Sequence, residues 1–513
     1  MGETKLRITD SLRTALLHLR LADRTRTLWV DQICINQDNV DERGHQVTQM
    51  GRVYRQAQID LVWLGEEDKY SPIAFRWVKQ THAALLAAKR RPKSTGQHVS
   101  PNSPRIGDST EEELEALRET FLIRSIWSRV WIVQEIVLSR DVILICGADS
   151  LLWPHLELVM RNLNDTVSES QDAGYEVPQL DLFLTCYQPM ALAGWRTQVR
   201  YPPRPPLQKL LFSFDSWNAT DKRDKVYALL GLAEDIGLVP DYTKPTQQVF
   251  LETVASILAC TGNLNFICQD SIDDPSKMAP LQPSWIPCLN SDSFTLDHMA
   301  RPPRYKAGVS PVFGKESFTV NDNILVANGY HVDCINSVDD SLDDESWPRL
   351  EWHLQLLRSI PASFIAEEGF EDDTTRCDII WRTLLQDTNV FESRVSANEA
   401  SEYRQRFLAW YRALRSNRKP AHSDFLTALE TRSKWRRLAL AEKHQLVVSV
   451  GVWARAGDEI CVLQTGSVPV VVRKMEGDGT RYCLVGTAYV HGLMDGEAMQ
   501  DEDTYPRRVY NII

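Results

Sequence analysis

The residues most able to do chemistry gather in one stretch, Trp127-Ser128-Arg129-Val130-Trp131-Ile132-Val133-Gln134-Glu135. Helical steps of four, four and three would put Trp127, Trp131, Glu135 and Leu138 on one face, so a carboxyl group shares a stripe with two indoles. Burial in such a place favours the neutral acid, and only a partner charge or a ligand offsets the cost of ionising it. Two readings stand open: Glu135 pairs with Arg129 or with an arginine of another element, or it faces a ligand. A second group is Asp31, which interrupts the apolar run Leu28 to Ile35, followed directly by Asn36 and Gln37. If that run is a strand, its C-terminal end is where open parallel sheets hold ribose or phosphate. The competing reading of Asn36 and Gln37 is a turn and cap for the next helix.

Several familiar sites are excluded. The chain has no G-x-x-x-x-G-K-[ST] phosphate loop, no G-x-S-x-G elbow, no H-E-x-x-H and no C-x-x-C. P-loop NTPases, serine hydrolases and zinc proteases are disfavoured accordingly, and no metal is expected. Ten cysteines scattered from Cys34 to Cys483, several in apolar runs, read as reduced core residues. The formal net charge of -12 repels a polyanion, and the basic Lys89-Arg90-Arg91 reads as a solvated helix end, so no nucleic-acid partner is expected. No signal-peptide pattern opens the sequence and no 18 apolar residues follow one another, which predicts a cytoplasmic protein without a membrane partner.

The elements that must position these groups come from periodicity. In the first third, helix-period and strand-period segments alternate, the pattern of a parallel sheet wrapped by helices. A helix is predicted from Thr9, a buried strand over Leu28 to Ile35, and a helix opened by Asn39 and Glu42 that carries Val47, Met50, Val53 and Tyr54 on one stripe. Gly44 and Gly51 each weaken that helix by roughly 1 kcal/mol. Strands follow at Ile59 to Leu64 and Val142 to Cys146, with helices at Ser71 to Arg90, from Ser109, and at Ser128 to Leu138. Residues 91–108, rich in Pro, Gly and Ser, are expected to be a mobile loop.

Since 513 residues exceed what one core serves, the chain is divided at composition shifts. Residues 1–150 form the α/β domain, 151–265 a mainly helical region, 266–440 a mixed and mostly helical region with acidic loops, and 441–513 a small β-rich unit. Pro202-Pro203-Arg204-Pro205-Pro206 reads as a stiff linker, Leu207 to Leu264 as helical except near Pro240-Asp241, and Ser337 to Glu345 and Glu367 to Asp373 as acidic loops. Short strands with glycine-containing turns recur from Gln445 onward and predict an antiparallel C-terminal unit.

The ordered segments Leu28-Trp29-Val30-Asp31-Gln32-Ile33-Cys34-Ile35-Asn36-Gln37, Glu42-Arg43, Gln46-Val47 to Met50, Tyr54-x-x-Ala57, Val62-Trp63-Leu64-Gly65 and Trp127 to Glu135 resemble the motifs of fungal heterokaryon-incompatibility domains. A looser likeness continues through Thr220-Asp221-Lys222-Arg223-Asp224-Lys225-Val226-Tyr227-Ala228-Leu229-Leu230-Gly231, Pro240-Asp241-Tyr242 and Gly486-x-x-Tyr489-Val490-His491-Gly492-x-x-Asp495-Gly496-Glu497, which reads as architecture, with Asp221 as a helix cap. The resemblance implies a Rossmann or flavodoxin-like, TIR-like fold and a role in non-self recognition and triggered cell death. Members usually begin with a strand ending in a Ser-Tyr-x-Trp-Gly-like motif, whereas this chain starts at the segment leading into the first helix, so a sheet lacking its first strand is expected.

Catalytic TIR domains cleave NAD with a glutamate on a helix that begins Trp-Cys-x-x-Glu, and Trp131-Ile132-Val133-Gln134-Glu135 is similar in spacing, with Ile132 in the cysteine position. The resemblance implies NAD as substrate rather than cofactor, Glu135 as the catalytic carboxylate, and Asp31, Asn36, Gln37, Trp127 and Trp131 around the nucleotide. One carboxylate suffices for that reaction, because nicotinamide leaves as a neutral molecule and needs no acid. The alternatives are a non-enzymatic module that self-associates or docks another incompatibility protein, and a truncated, inactive relative.

Overall fold

Alternation of buried and half-exposed residues in Asp60–Gly65 (β1) and Val142–Cys146 (β2) makes both segments strands covered on one face, with Val62, Leu64, Val142, Leu144 and Cys146 inside. They pair in parallel, Asp60 opposite Val142 and Gly65 opposite Cys146. These elements belong to a computed structural model that describes residues 6–89, 109–172, 187–270, 282–289, 304–310, 314–339, 349–365, 370–433, 435–477 and 479–513. The chain divides into two units, Met1–Val249 and Phe250–Ile513.

In the first unit, α1 (Asp10–Leu19) starts where the Thr9 hydroxyl accepts from the Leu12 N–H. A four-residue helix α2 (Asp31–Cys34) follows, then α3 (Val40–Gln56), capped by the Asn39 side chain, which accepts from the Glu42 N–H at 3.1 Å. The two glycines that weaken α3 have a packing role. A Cβ at Gly44 would lie 3.2 Å from the Pro240 carbonyl oxygen, and one at Gly51 3.1 Å from the Gly231 Cα, so bare backbone lets a distant segment close against the helix. After β1 come α4 (Ser71–Lys89), α5 (Glu111–Phe121, with a Thr110/Glu113 capping box) and α6 (Ile132–Leu138), which leads into β2. Asp149–Leu152 (β3) turns back antiparallel on β2 after Gly147, whose φ is +54°. The class is thus α/β, and the sheet among the described residues is mixed, in the order β1-β2-β3. Helices α7 (Trp153–Asp172), α8 (Tyr187–Val199), α9 (Leu207–Ser213), α10 (Asp224–Leu230) and α11 (Thr246–Thr261) follow.

Five expectations change. Leu28 to Ile35 is not a buried strand: Val30 is extended, but its carbonyl accepts from the Ile33 and Cys34 N–H groups and the chain winds into α2. The Asp31 carboxylate accepts from the Gln32 N–H at 2.7 Å, a local bond that competes with strand geometry. Ser128 to Leu138 is not one helix: Ser125–Ser128 is a 3-10 turn, and Arg129-Val130 is extended against Asn218, with the Val130 N–H donating to the Asn218 carbonyl at 2.9 Å. Leu207 to Leu264 is three helices with irregular backbone at 214–223 and 231–245, and Pro202 to Pro206 lies inside the first unit rather than between units. Cys34 and Cys260 are exposed rather than core residues, although Cys146, Cys268, Cys377, Cys461 and Cys483 are buried.

In the second unit, α12 (Arg349–Ser359), α13 (Ala362–Ile365), α14 (Thr374–Leu385), α15 (Ala397–Arg415) and α16 (Asp424–Arg432) bring Trp381, Phe407, Trp410, Phe425 and Leu429 into one core. The strands are β4 (Phe318–Asn321), β5 (Ile324–Val338), β6 (Arg436–Ala441), β7 (Val447–Gly451), β8 (Glu459–Leu463), β9 (Val470–Lys474), β10 (Arg481–Val490) and β11 (Arg507–Ile512). Their pairings close on themselves: β5 pairs β8, β8 pairs β9, β9 pairs β10, β10 pairs β11 and β11 returns to β5. Such closure removes exposed edges and yields a barrel around Tyr330, Val450, Ile460, Val462, Val471 and Val485. The C-terminal β unit is therefore not confined to 441–513. It draws β4, β5 and β6 from the stretch read as mostly helical, because β5 and β10 are long and irregular in register, so that β5 pairs with four strands and β10 with three.

The loop expected at 91–108, the basic pair Arg90-Arg91 and positions 340–345 and 367–369 of the acidic loops lie outside the described residues; Phe370–Asp372 is a 3-10 turn.

Candidate acidic site around Glu135

Glu135 sits in the first turn of α6, half-buried, with Ile132, Val133, Ile136 and Val137 packed inside around it. Burial pushes its carboxyl above the usual range; Arg129 opposes this, nearby Asp31 adds to it, and a hydrogen bond with the Tyr54 hydroxyl opposes it again. Tyr54, buried on α3, has its own acidity suppressed by burial and by the surrounding Glu135, Asp60 and Asp31. Asp60, the first residue of β1, is raised well above the ordinary carboxylate range by burial and by Glu135, with the Leu61 N–H and Arg196 opposing. Its Oδ2 is buried without a hydrogen-bond partner. Two carboxyl groups thus repel across a poorly solvated space and cannot both ionise cheaply, while exposed Arg129 supplies the nearby positive charge. The first strand residue, not the last, takes part, so the cluster lies at the start of the parallel strands.

Of the six residues singled out in the sequence, Glu135 and Asp31 come together here; Asp31 is exposed. Trp127 is fully buried on its separate turn, its ring 6.1 Å from that of Trp153. Asn36 and Gln37 are exposed in the turn before α3. The Asn36 side chain accepts from the Asp38 N–H, its N–H donates to Glu42, and the Gln37 amide donates to the Asp31 carbonyl.

Trp131 belongs to a second network. Its indole N–H donates to Asp224 Oδ2 at 3.1 Å, and Tyr242 donates its hydroxyl to Asp224 Oδ1 at 2.5 Å. The Arg43 guanidinium lies 3.6 Å from the centre of the Tyr242 ring and pairs with Asp221 at 2.9 Å. Arg223 grips the same Asp221 and donates to the carbonyls of Tyr242 and Lys244. Asp221 does accept from the Arg223 N–H as a cap would, but its ion pair with Arg43 ties it to α3. Nearby, the Gln134 amide donates to the Ala228 carbonyl and Arg55 to that of Gly231. Residues 218–244 therefore strap α3 to α6, and α6 carries Glu135.

Tyr54, Asp60 and the strap went unnoticed as site components in the sequence. Asp60 carries the same signal as Asp31, an acid interrupting an apolar run, here Ile59 to Leu64. Among the described residues, no three His, Cys, Asp or Glu side chains group as a metal site would, and no helix is long and apolar enough to cross a membrane.

Both ends of the chain, the α/β N-terminal unit and the β-barrel, match known families in sequence. Residues 1–135 match the family Heterokaryon incompatibility protein (HET), and residues 451–508 match the Het-6 beta-barrel domain, so the chain carries a HET domain and, toward its end, a Het-6 barrel. It is similar to the Neurospora crassa "Heterokaryon incompatibility protein 6, OR allele", 25% identical over 98% of this chain and 86% of the relative. No solved structure matches it.

Proposed function

We propose that this protein acts in heterokaryon incompatibility in the cytoplasm, its HET domain helping to convert recognition of a non-self partner into cell death. What supports the reading is the likeness to a relative bearing that name along nearly the whole chain, with both domains matched.

For the activity of the N-terminal unit, the reading is cleavage of NAD at the nicotinamide-ribose bond through Glu135, on a TIR-like domain. The observation that carries it is the half-buried Glu135 beside exposed Asp31 and Arg129. There the carboxylate can accept ribose hydroxyls and face the developing oxocarbenium charge, while Arg129 is free to meet phosphate. Release of nicotinamide by the purified chain, lost in Glu135→Gln, is the expected result; equal release in wild type and variant removes Glu135 from the reaction.

A second reading has a specific observation in its favour. The indoles expected to offer a stacking surface are committed elsewhere, Trp127 to the core and Trp131 to Asp224. In this reading the domain works without catalysis, through self-association or docking of another incompatibility protein. Death on expression that persists in Glu135→Gln distinguishes it.

A further inference from the structure

Apart from the acidic site, the first unit brings together two ionisable rings that neither reading of its function uses. His82 on α4 and His155 on α7 stack with ring centroids 4.1 Å apart and planes 29° from parallel. Both are half-buried where the two helices pack. The His155 Nδ1 is buried without a hydrogen-bond partner. The charges that act on the His155 ring are those of His82 and Lys79, both from α4. On α7 itself, Glu157 is taken up by Arg161 at 2.9 Å. A proton on the His155 ring thus enters a half-desolvated setting beside Lys79, and protons on both rings put like charges face to face.

We propose that the His82–His155 stack makes the seam between α4 and α7 a pH-sensitive joint, closed while both rings are neutral and loosened when acidification charges them. The seam matters because α7 begins at Trp153, which packs on Trp127, the first residue of the segment leading to Glu135. Loosening α7 therefore frees the backing of the strand-turn that positions α6. Burial, with His82 and Lys79, holds the His155 ring below its ordinary value of 6.5. The unfolded chain then binds that proton more readily, so the joint's stability is full above 6.5 and is lost as pH falls through that value toward the lower folded one.

The test uses the full chain. Histidine-ring NMR on 13C-labelled protein should show His155 titrating below 6.5, and His82→Gln should move its midpoint back toward that value. Amide exchange in α4 and α7, corrected for the intrinsic effect of pH, should rise between about pH 7.5 and 5.5, because the opened form takes up the His155 proton more readily than the closed one. The double variant His82→Phe/His155→Phe should abolish that rise. His155 titrating at 6.5 in the wild type, or a rise undiminished in the double variant, overturns the proposal. Should the double variant fail to fold, the wild-type and His82→Gln titrations decide alone.

Discussion

The indole N–H of Trp131 donates to the carboxylate of Asp224, 93 positions further along the chain, at 3.1 Å. Through that bond a residue beyond the matched HET segment sets the residue from which the Glu135 helix starts. Asp224 also accepts from Tyr242, and burial raises its carboxyl while both of these bonds stabilise the charge.

Asp224→Ala strands two buried donors and removes an acid that faces Arg43 at 3.9 Å. A loss of about 2–4 kcal/mol is expected in chemical denaturation of the first unit. A fragment ending at Glu135 should show no cooperative unfolding, whereas one ending at Val249 should; cooperative unfolding of the shorter fragment would count against the strap.

Gly231→Ala places a Cβ 2.5 Å from Gln134 Oε1, which cannot retreat far because its amide nitrogen donates to the Ala228 carbonyl. The cost should be about 1–3 kcal/mol. Gly194→Ala is the contrast: it lies on α8 with nothing within 4 Å, and helix propensity alone predicts a gain of up to about 1 kcal/mol. Equal effects of the two substitutions, read from melting temperatures, would contradict the close approach.

Asp60 and Glu135 both have folded pKa values above their ordinary ones, so the folded state favours their protonated forms. Their contribution to stability is present below the unfolded values and is lost as pH rises through the folded ones. Asp60→Asn should therefore stabilise the protein at neutral pH, with the gain shrinking as pH falls toward about 4, where unfolded carboxyls protonate too. Urea midpoints measured at both pH values check this; destabilisation of the same size at each would show that the charge is not what matters.

In the barrel, Asp270 pairs with buried Arg436 and accepts from the Thr487 N–H and hydroxyl. Asp270→Ala leaves a desolvated guanidinium and should cost about 3–5 kcal/mol, read from unfolding of the second unit. Loss below about 1 kcal/mol would mean that water or a neighbouring carbonyl replaces the acid. The glycines Gly451 and Gly486 give way to this carboxylate, since a Cβ at either position would collide with Asp270 Oδ1. Gly486, read in the sequence only as part of a motif, thereby acquires its physical reason.

The local signals were legible where a bond spans a few residues. Asn39 before Glu42, the helix start near Ser109, and the alternation in β1 and β2 each state their element in the sequence, because cap and pleat close within one turn or one strand. The strands read at 446–448, 460–463, 468–472 and 482–489 overlap β7 to β10, and the order of motifs carried the family likeness. Tertiary structure alone decided the rest. It split Trp127 from Trp131 through the pairing of Val130 with Asn218, and it set Asp60 against Glu135 by running β1 beside β2. It also drew β4 and β5 into the barrel from a stretch read in the sequence as mostly helical. A helical period assigns residues to faces only while the helix continues. Here a backbone bond to a segment nearly ninety residues away ended it, and no local pattern encodes a partner at that distance.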